Sequence, residues 1–429
     1  MRDEPRAART GTGPGARALV VMAAALAALA GPAGAALADT SGIPAYKTAG
    51  TAVTGTAGST DAPAIKPGGY TDTIGVGDRK YYGVDLDDSS SAFISAVAAP
   101  KAGTAVGYSD GISVSLQDTN GNSCSLGGDA SFGAAEAARP ISAYASRRIV
   151  KDRSCQEAGH YLFLVERDSA ATSDPGDWPI EIRFVLEPGV EHGATTAPSP
   201  SSWSSATPVP PSGSAKAVTG GTGFNDATEL GAGVYSDRII PGQTLFYEVP
   251  VDWGQQLFTT AEFGNTEPKD GATSTFASSG IQLDVYNPAR GPVTDDSASY
   301  DGDPAEVALG TAPALYANRF NTTDSVGAMR FSGRYYLEIT LSPAVAAFID
   351  GKVSFTLRIS VKGDAVAGPA YIGGADSPLS ASGGDGGLAG GGSALRLAGF
   401  AALGAGTVLV LSLAVWTVSA RRRSVDAVR

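Results

Sequence analysis

The chain has 429 residues, of which 43% are apolar and 17% are charged, and this length allows two or three domains. Glycine and proline are abundant, with 56 and 26 residues, which favours many turns and spacers over a compact helical enzyme. The formal net charge is −12 at pH 7, and the part between Asp39 and Ala394 is more acidic still, so we exclude nucleic acid as a partner.

The N-terminus has the three regions of a secretory signal peptide. Several arginines precede an apolar stretch over 18–30, and the small-residue site Ala36-Leu37-Ala38 follows it. The apolar stretch is too short to span a membrane comfortably. We therefore predict a signal peptide over 1–38, followed by an N-terminal segment over 39–57.

The next segment, 58–187, is predicted to form a β-sandwich. Ile180, Ile182 and Phe184 alternate with Glu181 and Arg183, and a period of two indicates a strand with one face on a core. Turn residues separate such runs, and no helical period is sustained. The fold class that we predict is therefore all-β.

The only two cysteines of the chain, Cys124 and Cys155, lie in this first segment. In a secreted chain they predict one disulfide bond, with two free thiols as the alternative. The nearby Asp118-Thr119-Asn120-Gly121-Asn122 has oxygens spaced as in a calcium loop, but we interpret it as a hairpin turn. His160 is predicted to be an outward polar residue of a strand.

A spacer over 188–223, rich in Pro, Ser, Thr and Gly, leads to a second segment over 224–362 that repeats the first. When 61–96 is laid over 226–261 without a gap, twelve of the 36 positions are identical. Later matches keep the same order, among them Tyr-Ala-Ser-Arg at Tyr144 and Tyr-Ala-Asn-Arg at Tyr316. We infer a duplication, and hence two tandem antiparallel β-sandwiches.

The second segment also contains an acidic loop, 295–303, with four aspartates: Asp295, Asp296, Asp301 and Asp303. The aligned part of the first segment keeps only Asp129, whereas a metal that stabilised the fold would be expected in both copies. We predict that calcium dependence is absent or minor, and we assign no metal, no cofactor and no catalytic residue.

Trp178, Tyr286 and Tyr300 are candidates for stacking on sugars, with ordinary packing as the alternative.

The C-terminus is predicted to anchor the chain. A Gly-rich stalk over 363–396 precedes the uncharged stretch 397–420, which is long enough for a transmembrane helix. Arg421, Arg422 and Arg423 follow at once, so the basic tail over 421–429 is predicted to be cytoplasmic. The two segments and their spacers would then be extracellular, on a single-pass protein of the cell membrane.

The shared pattern Gly-x-Tyr-x-Asp-x-Ile-x-x-Gly, which begins at Gly68 and at Gly233, is followed by Tyr-x-Val at Tyr82 and Tyr247. It resembles the bacterial pre-peptidase C-terminal domain group, in the form found beside von Willebrand A domains in secreted actinobacterial proteins. The resemblance implies jelly-roll sandwiches and accessory, adhesive or carbohydrate-contacting roles, and it supplies no catalytic set.

These observations favour a non-enzymatic surface module that contacts protein partners or cell-envelope glycans. The alternative is an accessory subunit or a receptor-like component of a neighbouring secretion or signalling system. The tail of nine residues is too short for a signalling domain, so this alternative requires a membrane partner that transmits the signal.

Overall fold

In a computed structural model of the chain, the described residues contain twenty β-strands that form four five-stranded sheets. The structure describes residues 42–124, 128–150, 153–191, 202–204, 206–372 and 379. The predicted signal peptide over 1–38 and the predicted span over 397–420 lie outside these residues. Within them, no helix is long and apolar enough to cross a membrane.

Sandwich 1 consists of two sheets that we name 1A and 1B. Sheet 1A has the strand order β1-β3-β10-β5-β8, and sheet 1B has the order β2-β4-β9-β6-β7. The strands are β1 Thr51–Ala52, β2 Ala64–Ile65, β3 Gly68–Ile74, β4 Arg79–Leu86, β5 Ser91–Ala98, β6 Gly111–Asp118, β7 Gly128–Ser131, β8 Ile141–Arg147, β9 Gly159–Asp168 and β10 Trp178–Glu187.

Sandwich 2 consists of sheets 2A and 2B, with the orders β11-β13-β20-β15-β18 and β12-β14-β19-β16-β17. The strands are β11 Lys216–Ala217, β12 Thr228–Glu229, β13 Gly233–Ile239, β14 Thr244–Val251, β15 Gln256–Phe263, β16 Ala277–Tyr286, β17 Pro292–Tyr300, β18 Ala305–Gly310, β19 Gly333–Leu341 and β20 Val353–Lys362. The helical elements are short: α1 Asp324–Ala328 and the 3-10 helices Gly133–Ala135, Tyr316–Phe320 and Pro343–Ala347.

The two sandwiches have the same strand order, which agrees with a duplication. Each strand of sandwich 1 has its counterpart ten strands later in sandwich 2. The first two strands of each copy are short and pair in parallel, whereas the other pairings are antiparallel. The prediction of antiparallel sheets is therefore correct for the main strands and incomplete for these short ones.

Each sandwich encloses one apolar core between its two sheets. In β10 the alternating Ile180, Ile182 and Phe184 are fully buried in the core of sandwich 1, as the period of two predicts. In β20 the counterparts Phe355, Leu357 and Ile359 lie in the core of sandwich 2. Alternation thus places one face of every main strand on a core.

The other face of β10 is also buried, and this differs from the prediction of a half-buried strand. Glu181 and Val185 are 3% and 4% exposed, because the outer face of sheet 1A packs against sandwich 2. The alternation of apolar and polar residues in a strand indicates which face lies on the core of its own sandwich. It does not indicate whether the other face packs against a second sandwich, so the sequence could not reveal this contact.

The predicted spacers are ordered where the structure describes them. Pro211 lies on sheet 2A, where its carbonyl accepts a hydrogen bond of 2.7 Å from Arg358, and β11 pairs with β13. Trp203 packs against the core of sandwich 2. In the stalk, the Val366 N–H donates to the Trp253 carbonyl and the Tyr371 hydroxyl donates to Glu187, so parts of both spacers contact the sandwiches.

Candidate functional site at the seam between the sandwiches

The outer face of sheet 1A meets the outer face of sheet 2B along a buried seam. Val97 of β5 lies in a cluster with four aromatic residues of sandwich 2. At its centre, the Phe224 ring lies 5.0 to 5.2 Å from the rings of Phe246, Tyr286 and Tyr336. Aromatic pairs at these distances add to the burial of apolar surface, so this cluster holds the sandwiches together.

A second apolar cluster lies further along the seam. The rings of Phe93 and Phe331, one from each sandwich, lie 5.0 Å apart in an edge-to-face arrangement. Val185, Ala289 and Leu379 complete the cluster. Leu379 belongs to the predicted stalk, so the stalk contributes to the seam.

Three buried ion pairs cross the seam. Their nitrogen–oxygen distances are 2.6 to 2.9 Å, and no side chain among them is more than 5% exposed. The pairs are Arg290–Glu181, Arg139–Glu338 and Arg330–Glu187. Removal of one partner would leave an uncompensated buried charge, so the pairs fix the relative position of the two sandwiches.

Carboxylates outnumber arginines around Glu338. Its cross-strand neighbour in β16 is Asp284, whose neighbour in β17 is Asp295, and Arg139 pairs with Glu338 alone. Burial raises the pKa of Glu338 to about 8 and that of Asp284 to about 6, and Arg139 offsets part of both shifts. Burial therefore makes both carboxylates harder to ionise than in water, which opposes the ion pair of Glu338 with Arg139.

Both ends of the described chain pass over the seam. Tyr46, from the N-terminal segment, donates a hydrogen bond of 3.1 Å to Glu181, and Lys47 pairs with Asp226. At the other end, Tyr371 forms a bridge with Val190 and donates to Glu187. These contacts tie the terminal segments to both sandwiches.

The stalk and the 3-10 helix Tyr316–Phe320 create a partly exposed patch at the edge of the seam, in which Phe320 is exposed and Tyr371 is buried. The rings of Trp253, Tyr316 and Tyr371 follow one another at centroid distances of 6.4 and 6.0 Å. The Arg319 guanidinium carbon lies 3.7 Å from the Tyr316 centroid and 4.0 Å from that of Phe320. Five residues, Trp253, Tyr316, Arg319, Phe320 and Tyr371, define what we call the seam patch.

The border of the seam patch is apolar and open to solvent. Phe320, Val366 and Ile372 are 46%, 53% and 52% exposed. The Val366 N–H donates to the carbonyl of Trp253, and Ile372 follows Tyr371, so both lie beside the row of rings. Exposed apolar residues grouped in this way mark a surface for binding.

Sandwich 1 contributes an arginine to the seam patch. Arg148, just beyond the end of β8, donates a hydrogen bond of 2.7 Å to the carbonyl of Arg319. Burial lowers the pKa of Arg148, and the positive charges of Arg330 and Arg153 lower it further. One arginine from each sandwich, Arg148 and Arg319, therefore meets at the seam patch.

The predicted sugar-stacking residues do not lie on a surface. Trp178, Tyr286 and Tyr300 are 0%, 6% and 1% exposed, so their rings are covered and that hypothesis is wrong for all three. Trp178 lies in the core of sandwich 1 and Tyr286 lies in the seam, whereas the Tyr300 hydroxyl donates to the carbonyl of Gly264.

The cysteines are joined as predicted. Cys124 and Cys155 form a disulfide bond with a Cα–Cα distance of 5.4 Å. Asp118 caps a hairpin turn, because one of its oxygens accepts hydrogen bonds from the N–H groups of Asn120 and Asn122. His160 is exposed on β9, and its Nδ1 lies 2.8 Å from Asp85.

The four aspartates of 295–303 do not form one loop. Asp295 and Asp296 lie in β17, whereas Asp301 and Asp303 lie in the turn that follows it, where Asp301 accepts a hydrogen bond from the Asp303 N–H. In the part of the chain that the structure describes, no group of three or more His, Cys, Asp or Glu side chains could hold a metal ion. That calcium dependence is absent or minor stays a prediction.

A shallow cleft of about 540 Å³ lies on sandwich 2, between residues 43–44 and the strands β11, β13 and β14. Among the charged residues that line the cleft is Asp237, whose carboxylate already accepts hydrogen bonds from the Gly220 N–H and the Tyr247 hydroxyl. Because this carboxylate holds the fold together, the cleft is a weaker candidate than the seam patch.

No pattern in the sequence marks the seam patch. Trp253 and Tyr316 lie 63 positions apart, and Tyr371 lies in a stretch that was interpreted as a stalk. Only the tertiary fold brings them together. The one available signal was the occurrence of aromatic residues in or beside segments otherwise rich in turn residues.

Comparisons with known proteins give no family. No family model matches the chain, and no curated protein matches it. Among solved structures, the ANX1 ectodomain of Arabidopsis thaliana is 10% identical, with 76% of this chain and 92% of that chain covered and a TM-score of 0.18.

Two further structures are similar to a comparable extent. The tandem CBM22-1-CBM22-2 domain of Xyn10C from Paenibacillus barcinonensis is 11% identical, with 75% of this chain and 100% of that chain covered and a TM-score of 0.18. The CUB1-EGF-CUB2 domain of human MASP-1/3 is 8% identical, with 68% and 99% covered and a TM-score of 0.15. TM-scores this low do not establish a shared fold.

Proposed function

We propose that this chain is a non-enzymatic binding module of the cell exterior that contacts a protein or glycan of the cell envelope through the seam patch. The observation that carries the proposal is the group of aromatic, apolar and arginine side chains at the edge of the seam, among which Phe320, Val366 and Ile372 are exposed. Trp, Tyr and Arg are the residues that dominate binding energy at interfaces. Because buried ion pairs fix the seam, the patch is organised before a partner binds.

The disulfide bond supports an extracellular location. Such bonds persist in oxidising compartments and are rare in the cytosol, and Cys124 and Cys155 are joined. We further propose the cleaved signal peptide over 1–38, the single membrane span over 397–420 and the cytoplasmic tail over 421–429. Membership of the jelly-roll sandwiches in the pre-peptidase C-terminal group is likewise a proposal.

Absence of catalysis is part of the same proposal. The exposed side chains of His160 on β9 and Asp85 on the neighbouring β4 form a pair, 45% and 82% exposed. Active sites shift the pKa of catalytic groups by burial and by neighbouring charges. Open solvent around this pair supports a surface role for His160.

Site-specific photocrosslinking in cells tests the proposal. A photoreactive phenylalanine analogue replaces Phe320 in the full chain, and in matched controls it replaces Phe276 or Tyr108, which are 58% and 64% exposed elsewhere on the surface. We expect a discrete crosslinked product from position 320 and none of that product from the two controls. Equal products from all three positions would contradict a role for the seam patch.

The identity of the crosslinked product separates the two functions considered from the sequence. An envelope polymer or an exterior protein supports the surface-module function. A multi-span membrane protein would instead support an accessory subunit or a receptor-like component.

A further inference from the structure

Strand β18 forms an open edge of sheet 2A. Within the described residues it pairs with β15 alone. Glu306, Ala308 and Gly310 are exposed, whereas Val307 lies in the core of sandwich 2. The six residues of β18 include no proline and no lysine, and their register with β15 is unbroken. Proline, lysine and bulges usually protect an edge strand, so β18 can accept another strand.

The backbone of β18 shows which residues would meet an added strand. In an antiparallel pair, residues bonded to the neighbouring strand alternate with residues whose N–H and C=O groups face away. The Thr311 N–H, just beyond β18, donates to the Leu257 carbonyl of β15 over 2.9 Å. By alternation, the residues of β18 that face away from β15 are Glu306, Ala308 and Gly310. Within the described residues, no hydrogen bond uses their backbone groups.

The corresponding edge of sandwich 1 is already an interface. Its strand is β8, and the register of each sheet places Ser142 where sandwich 2 has Glu306. Ser142 is 2% exposed, and its hydroxyl donates over 2.7 Å to the carbonyl of Arg290 in sandwich 2. One copy thus meets a polypeptide segment at this edge, and the exposed edge of the other copy fits a partner of the same kind.

The charges at the open edge favour a basic partner. Glu306 lies directly opposite Glu262 of β15, and like charges in such a pair repel each other. Arg358 of β20 donates to both carboxylate oxygens of Glu262, over 2.7 and 3.0 Å, whereas Glu306 forms no ion pair within the described residues. Asp301 and Asp303, in the turn before β18, are also exposed. A lysine or arginine on the free side of β18 would offset this negative charge.

We propose that the open edge of β18 binds an extended segment of a partner protein as an added antiparallel strand, with a lysine or arginine of that segment opposite Glu306. The antiparallel arrangement continues the pairing of β18 with β15. Hydrogen bonds with the backbone of β18 would hold the segment, and side chains at alternate positions would select it. This surface adds a second contact to the proposed function, and it does not depend on the seam patch.

Peptide binding to the purified full chain tests the proposal. The probe is a fluorescent seven-residue peptide in which threonine and lysine alternate. Fluorescence anisotropy measures its affinity at constant ionic strength, because salt screens exposed charges. In a hydrogen-bonded antiparallel pair, the two opposite residues exchange both bonds. Lysines opposite Glu306, Ala308 and Gly310 would therefore direct their own N–H groups at β18.

Methylated peptides distinguish strand pairing from charge attraction alone. Methylation of the lysine backbone nitrogens removes the N–H groups that would face β18. We expect it to weaken binding at least about tenfold, because several hydrogen bonds are lost. Methylation of the threonine backbone nitrogens removes N–H groups that face away from β18, so it should leave binding nearly unchanged. Equal binding of the two methylated peptides would overturn the proposal.

A peptide with glutamate in place of lysine tests the preference for a basic segment. We expect it to bind at least about fivefold more weakly than the lysine peptide, because like charges would then lie opposite each other. Equal binding of these two peptides would overturn the assignment of a basic partner.

Two variants test the edge itself. Ala308→Pro removes an N–H that has no partner within the described residues, and edge strands tolerate proline at such positions. We expect it to lower peptide affinity about fivefold or more, and the melting temperature without peptide shows whether the fold is retained. Glu306→Lys should weaken binding of the lysine peptide and strengthen binding of the glutamate peptide. The matched control, Asp129→Lys, makes the same change of charge at an exposed position of β7 in sandwich 1 and should alter neither.

Sedimentation velocity without peptide distinguishes a partner protein from a second copy of this chain. A monomer, or association that persists in Ala308→Pro, supports an edge that is open to a partner. Self-association that is lost in Ala308→Pro would show that a second copy occupies the edge, and it would overturn the proposal. Unaltered peptide binding in Ala308→Pro, equal effects of Glu306→Lys and Asp129→Lys, or no binding by the unchanged chain would overturn it as well.

Discussion

Sandwich 1 and sandwich 2 stabilise their first strands with the same contacts. In sandwich 1 the Tyr82 hydroxyl donates to Asp72 over 2.9 Å, and the same carboxylate oxygen accepts from the Gly55 N–H. In sandwich 2 the corresponding distance from Tyr247 to Asp237 is 2.7 Å, and Gly220 takes the place of Gly55. Residues shared by the two copies therefore hold each sandwich together.

The residues that join the sandwiches are not shared. By strand register, the counterpart of Glu181 is Thr356 and that of Glu187 is Lys362. The counterpart of Glu338 is Leu164. Sheet 1A of one copy packs on sheet 2B of the other, so the contact is heterologous and the two copies need different surfaces. In this chain, differences between the repeats point to function better than similarities do.

The largest expected effect comes from one half of a buried ion pair. Glu181→Ala would leave Arg290 buried without its carboxylate and would also remove the acceptor of Tyr46 and Asn225. We expect the free energy of unfolding, measured by chemical denaturation of the full chain, to fall by about 3–5 kcal/mol. The matched control is Thr356→Ala at the equivalent position, for which we expect a loss of less than about 1 kcal/mol. Similar losses in both variants would show that the seam does not depend on this pair.

The disulfide bond distinguishes the copies in a second way, because only sandwich 1 has it. Reduction of Cys124–Cys155, or a Cys124→Ser/Cys155→Ser double variant, should destabilise sandwich 1 by about 3–4 kcal/mol for a loop of this length. Hydrogen exchange followed by mass spectrometry would locate the loss of protection in sandwich 1. Equal loss in sandwich 2 would mean that the two copies unfold as one cooperative unit.

A smaller and symmetric effect is expected from the shared tyrosines. Tyr82→Phe and Tyr247→Phe each remove a hydrogen bond to a carboxylate, which is worth about 1.5–3 kcal/mol. Because both hydroxyls have the same role, we expect the two losses in unfolding free energy to agree within about 0.5 kcal/mol. A loss confined to one variant would mean that the shared residues no longer have the same role in the two copies.

The fold was largely predictable from the sequence, because alternation and repetition are local signals. The core positions Ile180, Ile182 and Phe184 follow from a period of two, and the pairing of Cys124 with Cys155 follows from composition. The seam was not predictable. Glu181 looks like an ordinary solvent-facing strand residue, and only the packing of another sheet buries it.

The candidate site was missed for a related physical reason. Phe320 and Ile372 become part of one surface patch only through the contact between Tyr316 and Tyr371, which lie 55 positions apart in the sequence. Trp178, in contrast, looked like a surface aromatic because loop residues precede it, yet it is fully buried against Phe132. Sequence neighbours indicate which residues lie near a loop, but not which of them remain exposed after two sandwiches have packed together.

The mildest test of the comparison uses pH, because sandwich 2 brings the neighbouring carboxylates Asp284 and Glu338 beside a single arginine, whereas Glu181 and Glu187 of sandwich 1 each pair with their own arginine. In the unfolded chain Glu338 ionises near pH 4, whereas burial raises its pKa to about 8 in the folded chain, and Arg139 offsets part of that shift. The folded state therefore retains a proton that the unfolded state has released. This stabilising contribution is full below about pH 4 and is lost as the pH rises through 8.

Between pH 6 and 7.5 the contribution of Glu338 should lower the free energy of unfolding by about 1.4 kcal/mol for each pH unit. Denaturation of the full chain over this range measures the slope. Glu338→Gln retains a hydrogen-bond acceptor for Arg139 but cannot ionise, so we expect a flatter slope for this variant. Glu166→Gln, which alters an exposed pair with Arg79 in sandwich 1, should keep the slope of the unchanged chain. Identical slopes for the unchanged chain, Glu338→Gln and Glu166→Gln would show that Glu338 does not retain this proton in the seam. The two sandwiches would then differ in structure but not in how their carboxylates titrate.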